Sequence, residues 1–189
     1  MKLRNVLVAM AVTACGLVAA AAPAGAGMMR ASTAAPYCGI TWGSQDRSAD
    51  ALSTAVLLYS RTGQHDCYDR VVFEFDGPAN GYAISYGEAY TEGQGLALSP
   101  YTAGGAVLKV TLLAPAYYQS GAEAYPYRSG DHTANVVGYQ TLRDVVFGGS
   151  FEGYTSFAVG VRARLPYRVF VLSGPGTHSR IVLDVAHRW

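Results

Sequence analysis

Charge is scarce in this chain: Asp, Glu, Lys and Arg together make up 14% of its 189 residues. Histidine occurs four times and cysteine three times. Each shortage removes a class of function. A nucleic-acid binder carries a basic stripe that displaces counterions from phosphates. Here 14 Lys+Arg face 13 Asp+Glu, and without Lys2 and Arg4, which lie in a segment that reads as removable, 12 face 13. No nucleic-acid partner is expected. A zinc hydrolase needs two or three imidazoles and a carboxylate converging on one point, with a separate general base. His65, His132, His178 and His187 fall in four separate segments, none with a His-Glu-x-x-His spacing. The nearest approaches to a cluster are His65, Asp66 and Asp69, the pair Asp131-His132, and Asp184 with His187; they read more simply as turn and strand residues. Ser150 follows Gly148-Gly149 but lacks the Gly-x-Ser-x-Gly elbow. No catalytic, metal or cofactor residue is therefore expected.

What the chain has in quantity is apolar surface, 50% of residues, with 14 tyrosines and 22 glycines. The length suits one domain with a sizeable core. The first 26 residues read as an export signal: Lys2 and Arg4, an apolar run over 6–22, and a small-residue site at Ala24-Gly25-Ala26. Val12-Thr13-Ala14-Cys15 offers a second reading, a lipobox that would anchor the chain to a membrane through Cys15. The apolar residues after Cys15 favour cleavage and a secreted or wall-associated product. No later segment is expected to cross a membrane. Residues 27–36 read as a flexible leader and 37–189 as the folded domain. With Cys15 assigned to the signal, Cys38 and Cys67 remain, and an even pair in an exported chain predicts a disulfide.

Turn residues divide the domain into short extended runs. Strands are expected over 55–61, 68–75, 81–86, 106–113, 136–142 with 144–147, 155–164, 167–172 and 179–185. Residues 88–103 read as a long loop or frayed hairpin, 114–133 as a surface excursion, and 148–153 as a turn. About eight strands at this spacing predict an all-β antiparallel sandwich or flattened barrel.

One pattern is written twice: Arg70-Val71-Val72-Phe73-Glu74-Phe75 and Arg180-Ile181-Val182-Leu183-Asp184-Val185. Each suits a strand buried on both faces. If the two strands are antiparallel neighbours, Arg70 meets Asp184 and Arg180 meets Glu74 across the ladder, a pairing that fixes register rather than performs chemistry. A second arginine group, Arg162, Arg164 and Arg168, alternates with apolar residues and predicts one cationic face. Arginine grips carboxylates bidentately, and Tyr117, Tyr118, Tyr125 and Tyr127 are expected to supply stacking surfaces. These seven are the candidate ligand-binding residues.

The run 165–172 followed by Ser179-Arg180-Ile181-Val182-Leu183-Asp184-Val185 resembles the closing hairpin of AMIN domains. Asp69-Arg70-Val71-Val72-Phe73-Glu74-Phe75 resembles their opening strand. The stretch 37–189 is similar to the AMIN-like domain of actinobacterial secreted proteins and lipoproteins, on the blocks His65-Asp66-Cys67-Tyr68-Asp69-Arg70, Phe151-Glu152-Gly153, residues 161–166 and Ala186-His187-Arg188-Trp189. The resemblance implies a non-catalytic β-sandwich that associates with peptidoglycan, with cell-wall glycan or peptide as partner. The alternative is a secreted protein-binding module, an inhibitor or assembly partner of envelope proteins, using 114–133. A cell-wall hydrolase is the third reading.

Overall fold

Alternation of apolar and polar residues dictates two sheets, each with one face turned to a shared core. The computed structural model describes residues 35–189; the segment read as an export signal, Cys15 and positions 27–34 of the expected leader lie outside the described residues. Among the described residues there are nine strands: β1 (Arg47–Ala49), β2 (Leu57–Gln64), β3 (Tyr68–Phe75), β4 (Tyr82–Tyr86), β5 (Ala106–Leu112), β6 (Leu142–Phe151), β7 (Tyr154–Val161), β8 (Tyr167–Ser173) and β9 (Ser179–Ala186). They form a five-stranded sheet, β1-β4-β5-β7-β6, and a four-stranded sheet, β2-β3-β9-β8. Every pairing is antiparallel. The architecture is an open sandwich and not the flattened barrel that was the other expectation. No helix among the described residues is long and apolar enough to cross a membrane.

The core lies between the sheets. Val71, Phe73, Phe75, Ile181, Leu183 and Val185 from the four-stranded sheet meet Leu108, Val110, Leu112, Phe157 and Val159 from the other, all essentially inaccessible. Rings of Phe73, Phe147 and Phe157 pack with centroids 4.8 to 5.2 Å apart in tilted pairs, the arrangement their quadrupoles favour.

Several expected boundaries moved, each for a local reason. Gly63, which the expected strands over 55–61 and 68–75 leave in the turn between them, sits inside β2, opposite Arg70; the reversal occurs at residues 65–67. Gly148 and Gly149, also read as a turn, continue β6 through a bulge. The reversal there is the two-residue turn Glu152-Gly153, with φ of 49° and 83°, a left-handed pair that suits glycine at the second position. Residues 136–141 are turn rather than strand. The stretch 114–133 is less free than a surface excursion. His132 bridges Val146, Thr133 N–H donates to Val145 O and Phe147 N–H to Asp131 O, so this segment covers the open edge of β6.

The loop at 88–104 folds back over the outer face of the five-stranded sheet. Ala89 and Leu98 bury against Val146 and Ala158 there, forming a second small core. Gly160 makes this approach feasible: a Cβ at that position would stand 1.9 Å from Ala103 O. Gly160→Ala is expected to destabilise the fold by about 3 kcal/mol, the upper range of overpacking, with the loss read from a urea titration.

Three tyrosine hydroxyls are locked by internal partners. Tyr167 donates to Gln45 O (2.8 Å) and Ile84 O (2.9 Å), Tyr86 to Leu165 O (2.6 Å), and Tyr125 bonds Ser60. Burial raises the pKa of each from 10.0 to about 12. The unfolded chain therefore ionises first as pH rises. The contribution of these tyrosines is intact below pH 10.0 and is lost as pH climbs toward about 12. Alkaline unfolding within that window, with tyrosinate absorbance appearing together with loss of β-sheet circular dichroism, is the expected result. Tyrosinate formation in a chain that stays folded would contradict it.

Candidate functional site

The two copies of the repeated pattern lie side by side. β3 and β9 pair antiparallel with Arg70 opposite Asp184, Val72 opposite Val182 and Glu74 opposite Arg180. Alternation turns these residues to the outer face of the four-stranded sheet, away from Val71, Phe73, Ile181 and Leu183. β2 and β8 extend the face into three rows. The first runs Gly63, Arg70, Asp184, Arg168; the second Arg61, Val72, Val182, Phe170; the third Tyr59, Glu74, Arg180, Leu172.

Asp184 is fully buried at the centre of the first row and is held from both sides. Arg70 donates through Nε (2.6 Å) and Nη2 (2.9 Å), a bidentate grip, and Arg168 donates through Nε at 2.8 Å. The bond to Asp184 raises the Arg70 pKa above its ordinary value against an opposing effect of burial. Aromatic rings cover this cluster. The Arg168 guanidinium lies 5.6 Å from the Trp42 ring centre, 5.3 Å from Tyr68 and 5.0 Å from Phe170, and Arg70 lies 5.2 Å from Tyr68. These are cation–π distances.

Trp42 reaches the face because the N-terminal arm is tied down. Cys38 and Cys67 form the expected disulfide, Trp42 Nε1 donates to Tyr37 O, and Gly43 bridges Tyr167 at the β8 edge. His65 stacks on Tyr68 at 4.5 Å.

The third row is arranged differently. Glu74 faces Arg180 in register, yet its carboxylate is taken by Arg61 and by His178 Nδ1, the latter at 3.0 Å. The expected Arg180–Glu74 pair is thus not formed. The Arg180 Nε is buried and has no hydrogen-bond partner. The face carries four arginines (61, 70, 168, 180) against two carboxylates (Glu74, Asp184), a positive excess.

The other expected cationic group does not form one face. β7 ends at Val161, so the strand alternation assumed for residues 162–165 is absent. Arg162 turns to His187 O, and Arg164 stacks on Tyr86 at 4.7 Å beside a cleft lined by Glu88 and Thr102. Only Arg168 of the three joins the outer face. The tyrosines divide as well. Tyr125 is a core residue, 2% exposed, packed on Phe147 and Phe157. Tyr127 leans on Tyr125, Tyr118 is exposed, and Tyr117 accepts from Gly153 N–H. Tyr59, Trp42 and Phe170 were missed because nothing in their local sequence separates an outward aromatic from a core one.

Three histidines pair with carboxylates at separate places: His132 with Asp144, His178 with Glu74, His187 with Asp69. The cluster of His65, Asp66 and Asp69 is not assembled. Asp69 points inward and accepts from Thr141 N–H (2.5 Å), Leu142 N–H (2.9 Å) and His187. Among the described residues no three His, Cys, Asp or Glu side chains are grouped to hold a metal ion.

Asp184→Ala strands two guanidinium groups and is expected to cost about 3–5 kcal/mol, as for other broken buried pairs. Arg168→Met is expected to cost clearly less, because Arg70 still holds the carboxylate. Equal losses in chemical denaturation of the two variants would contradict the shared clamp.

The family model for the AMIN-like domain matches residues 55–187, from the start of β2 through β9 and its histidine. Neither the curated proteins nor the solved structures yield a match. The match takes in both copies of the Arg-apolar-acid strand and every strand except β1, and the chain belongs to the AMIN-like domain family.

Proposed function

We propose that this protein is an exported, non-catalytic envelope module that associates with peptidoglycan through the outer face of its four-stranded sheet. The observation that carries the reading is the face itself, four arginines against two carboxylates with Trp42, Tyr59, Tyr68 and Phe170 among them. Cell-wall stem peptides are rich in carboxylates, and sugar rings present apolar C–H faces to aromatic side chains. A positively charged, aromatic-studded sheet is complementary to both. Membership of the AMIN-like family supports an envelope role. The non-catalytic reading draws on the histidine–carboxylate pairs, none of which has a serine or cysteine bonded to its imidazole among the described residues.

A second reading, binding to an envelope protein, is favoured by one observation. Leu52, Tyr117, Pro115 and Gly153 line an apolar hollow of about 240 Å³. Phe151 and Tyr154 stand exposed on either side of the adjoining β6–β7 turn. That surface differs in chemistry from the arginine face, so the two readings separate cleanly.

Co-sedimentation with purified sacculi tests them. A Tyr59→Ser/Arg61→Ser variant is expected to lose about tenfold in retention, equivalent to ~1.4 kcal/mol, while Phe151→Ser/Tyr154→Ser is retained as the parent chain is. Retention is also expected to weaken as salt rises. No retention of the parent chain above a control protein, or loss only in the Phe151/Tyr154 variant, would overturn the wall-binding reading.

A further inference from the structure

Each carboxylate on the outer face is engaged more than once, and one arginine is engaged by none. Asp184 takes Arg70 and Arg168; Glu74 takes Arg61 and His178. The side chain of Arg180, between Glu74 on one side and Leu172 on the other, makes no hydrogen bond or ion pair among the described residues, and its Nε is shut off from water. An arginine has five donors in a rigid fork. The Nη groups of the same guanidinium are not shut off in this way, and they present a pair of donors that a ligand carboxylate can reach and bridge.

We propose that Arg180 is a binding site for a peptide carboxylate, a proposal that rests on the outer face being the ligand surface. The same sheet already shows how it holds such a group. Four residues along the strand from Arg180, past Val182, the Asp184 carboxylate is gripped by the Nε and Nη2 fork of Arg70, whose guanidinium lies over the rings of Tyr68 and Phe170. At Arg180 the fork is present and the acid is missing. The neighbours suit an acid borne on a short apolar residue: Leu172 is 37% exposed and Tyr59 55% exposed in the same row.

Charge selects the type of anion. Glu74 is directly across from Arg180, and although already bonded to Arg61 and His178 it still disfavours a second negative group nearby. A monoanionic carboxylate adds one charge; a phosphate monoester carries close to two at neutral pH. The site therefore takes a chain-terminal or side-chain carboxylate in preference to a phosphoryl group.

The test uses the full folded chain, isotopically labelled, with three probes: N-acetyl-alanyl-alanine, its C-terminal amide, and inorganic phosphate. Amide chemical-shift titration is expected to show the free acid binding at least about tenfold more tightly than the amide, and more tightly than phosphate. Shifts should centre on residues 172 and 180. Arg180→Gln is expected to lose about tenfold for the acid and nothing for the amide, with Arg180→Lys intermediate because it lacks the fork. Equal binding of acid and amide, unchanged acid binding in Arg180→Gln, or tighter binding of phosphate would each overturn the proposal. Should Arg180→Gln fail to fold, the acid–amide comparison on the parent chain and the Arg180→Lys titration decide. Sacculus retention keeps the two ideas distinguishable: parent and Arg180→Gln retained equally sinks this site and leaves the wall-binding reading standing. Acid binding without any sacculus retention does the reverse.

Discussion

The burial of the Asp184 carboxylate between Arg70 and Arg168 is the interaction on which the outer half of this molecule depends. A carboxylate removed from water must be fully paired to be tolerated, and here the pairing comes from strands on either side of β9. The clamp therefore ties β3, β9 and β8 together side by side and sets their register: a slip of β9 by one residue would turn Asp184 into the apolar core and leave both arginines without it. It also fixes where the two guanidinium planes lie. Tyr68, Phe170 and Trp42 can pack against those planes only because they are held. The disulfide between Cys38 and Cys67 completes the arrangement by fastening the arm that bears Trp42.

The two sheets present different outer faces, and the difference matters for function. The five-stranded sheet buries part of its outer face under the 88–104 loop, an approach that Gly160 makes sterically feasible. On the four-stranded sheet, the outer face is built from long arginines lying among aromatics. Arginine stems cover apolar residues such as Val182 while their charged heads stay near the surface.

Much of this was legible in the sequence, and the reasons are specific. Period-2 alternation and turn residues identified most of the strands, and the repeated Arg-apolar-acid pattern identified β3 and β9 with their register. That pattern was informative because its charges sit inside otherwise apolar runs, where a partner on a neighbouring strand or turn accounts for Arg70, Asp184 and Glu74, though not for Arg180. The Cys38–Cys67 bridge followed from parity. Reading failed where glycine was taken as punctuation: Gly63, Gly148 and Gly149 lie within strands. It failed again for Arg162 and Arg164, since β7 stops at Val161 and Pro166 redirects the chain. Tyr125 looked like a loop aromatic because the whole 114–133 stretch reads as a surface excursion, yet its ring enters the core beside Phe147. The competition for Glu74 was invisible, because Arg61 and His178 are brought to it by strand pairing and by the turn before β9. For the same reason the unengaged guanidinium of Arg180 emerges only once the three rows of the sheet are laid side by side.

The central claim is that the arginine–aromatic face of β2, β3, β9 and β8 is the surface that meets the cell wall. Hydroxyl-radical footprinting of the protein free and bound to purified sacculi tests it most directly, because oxidation reports side-chain exposure residue by residue. The account predicts that Trp42, Tyr59, Phe170 and Leu172 become protected on binding while Tyr118, Phe151 and Tyr154 stay as reactive as in the free protein. Protection confined to Tyr118, Phe151 and Tyr154, with Trp42 and Tyr59 unchanged, would contradict it.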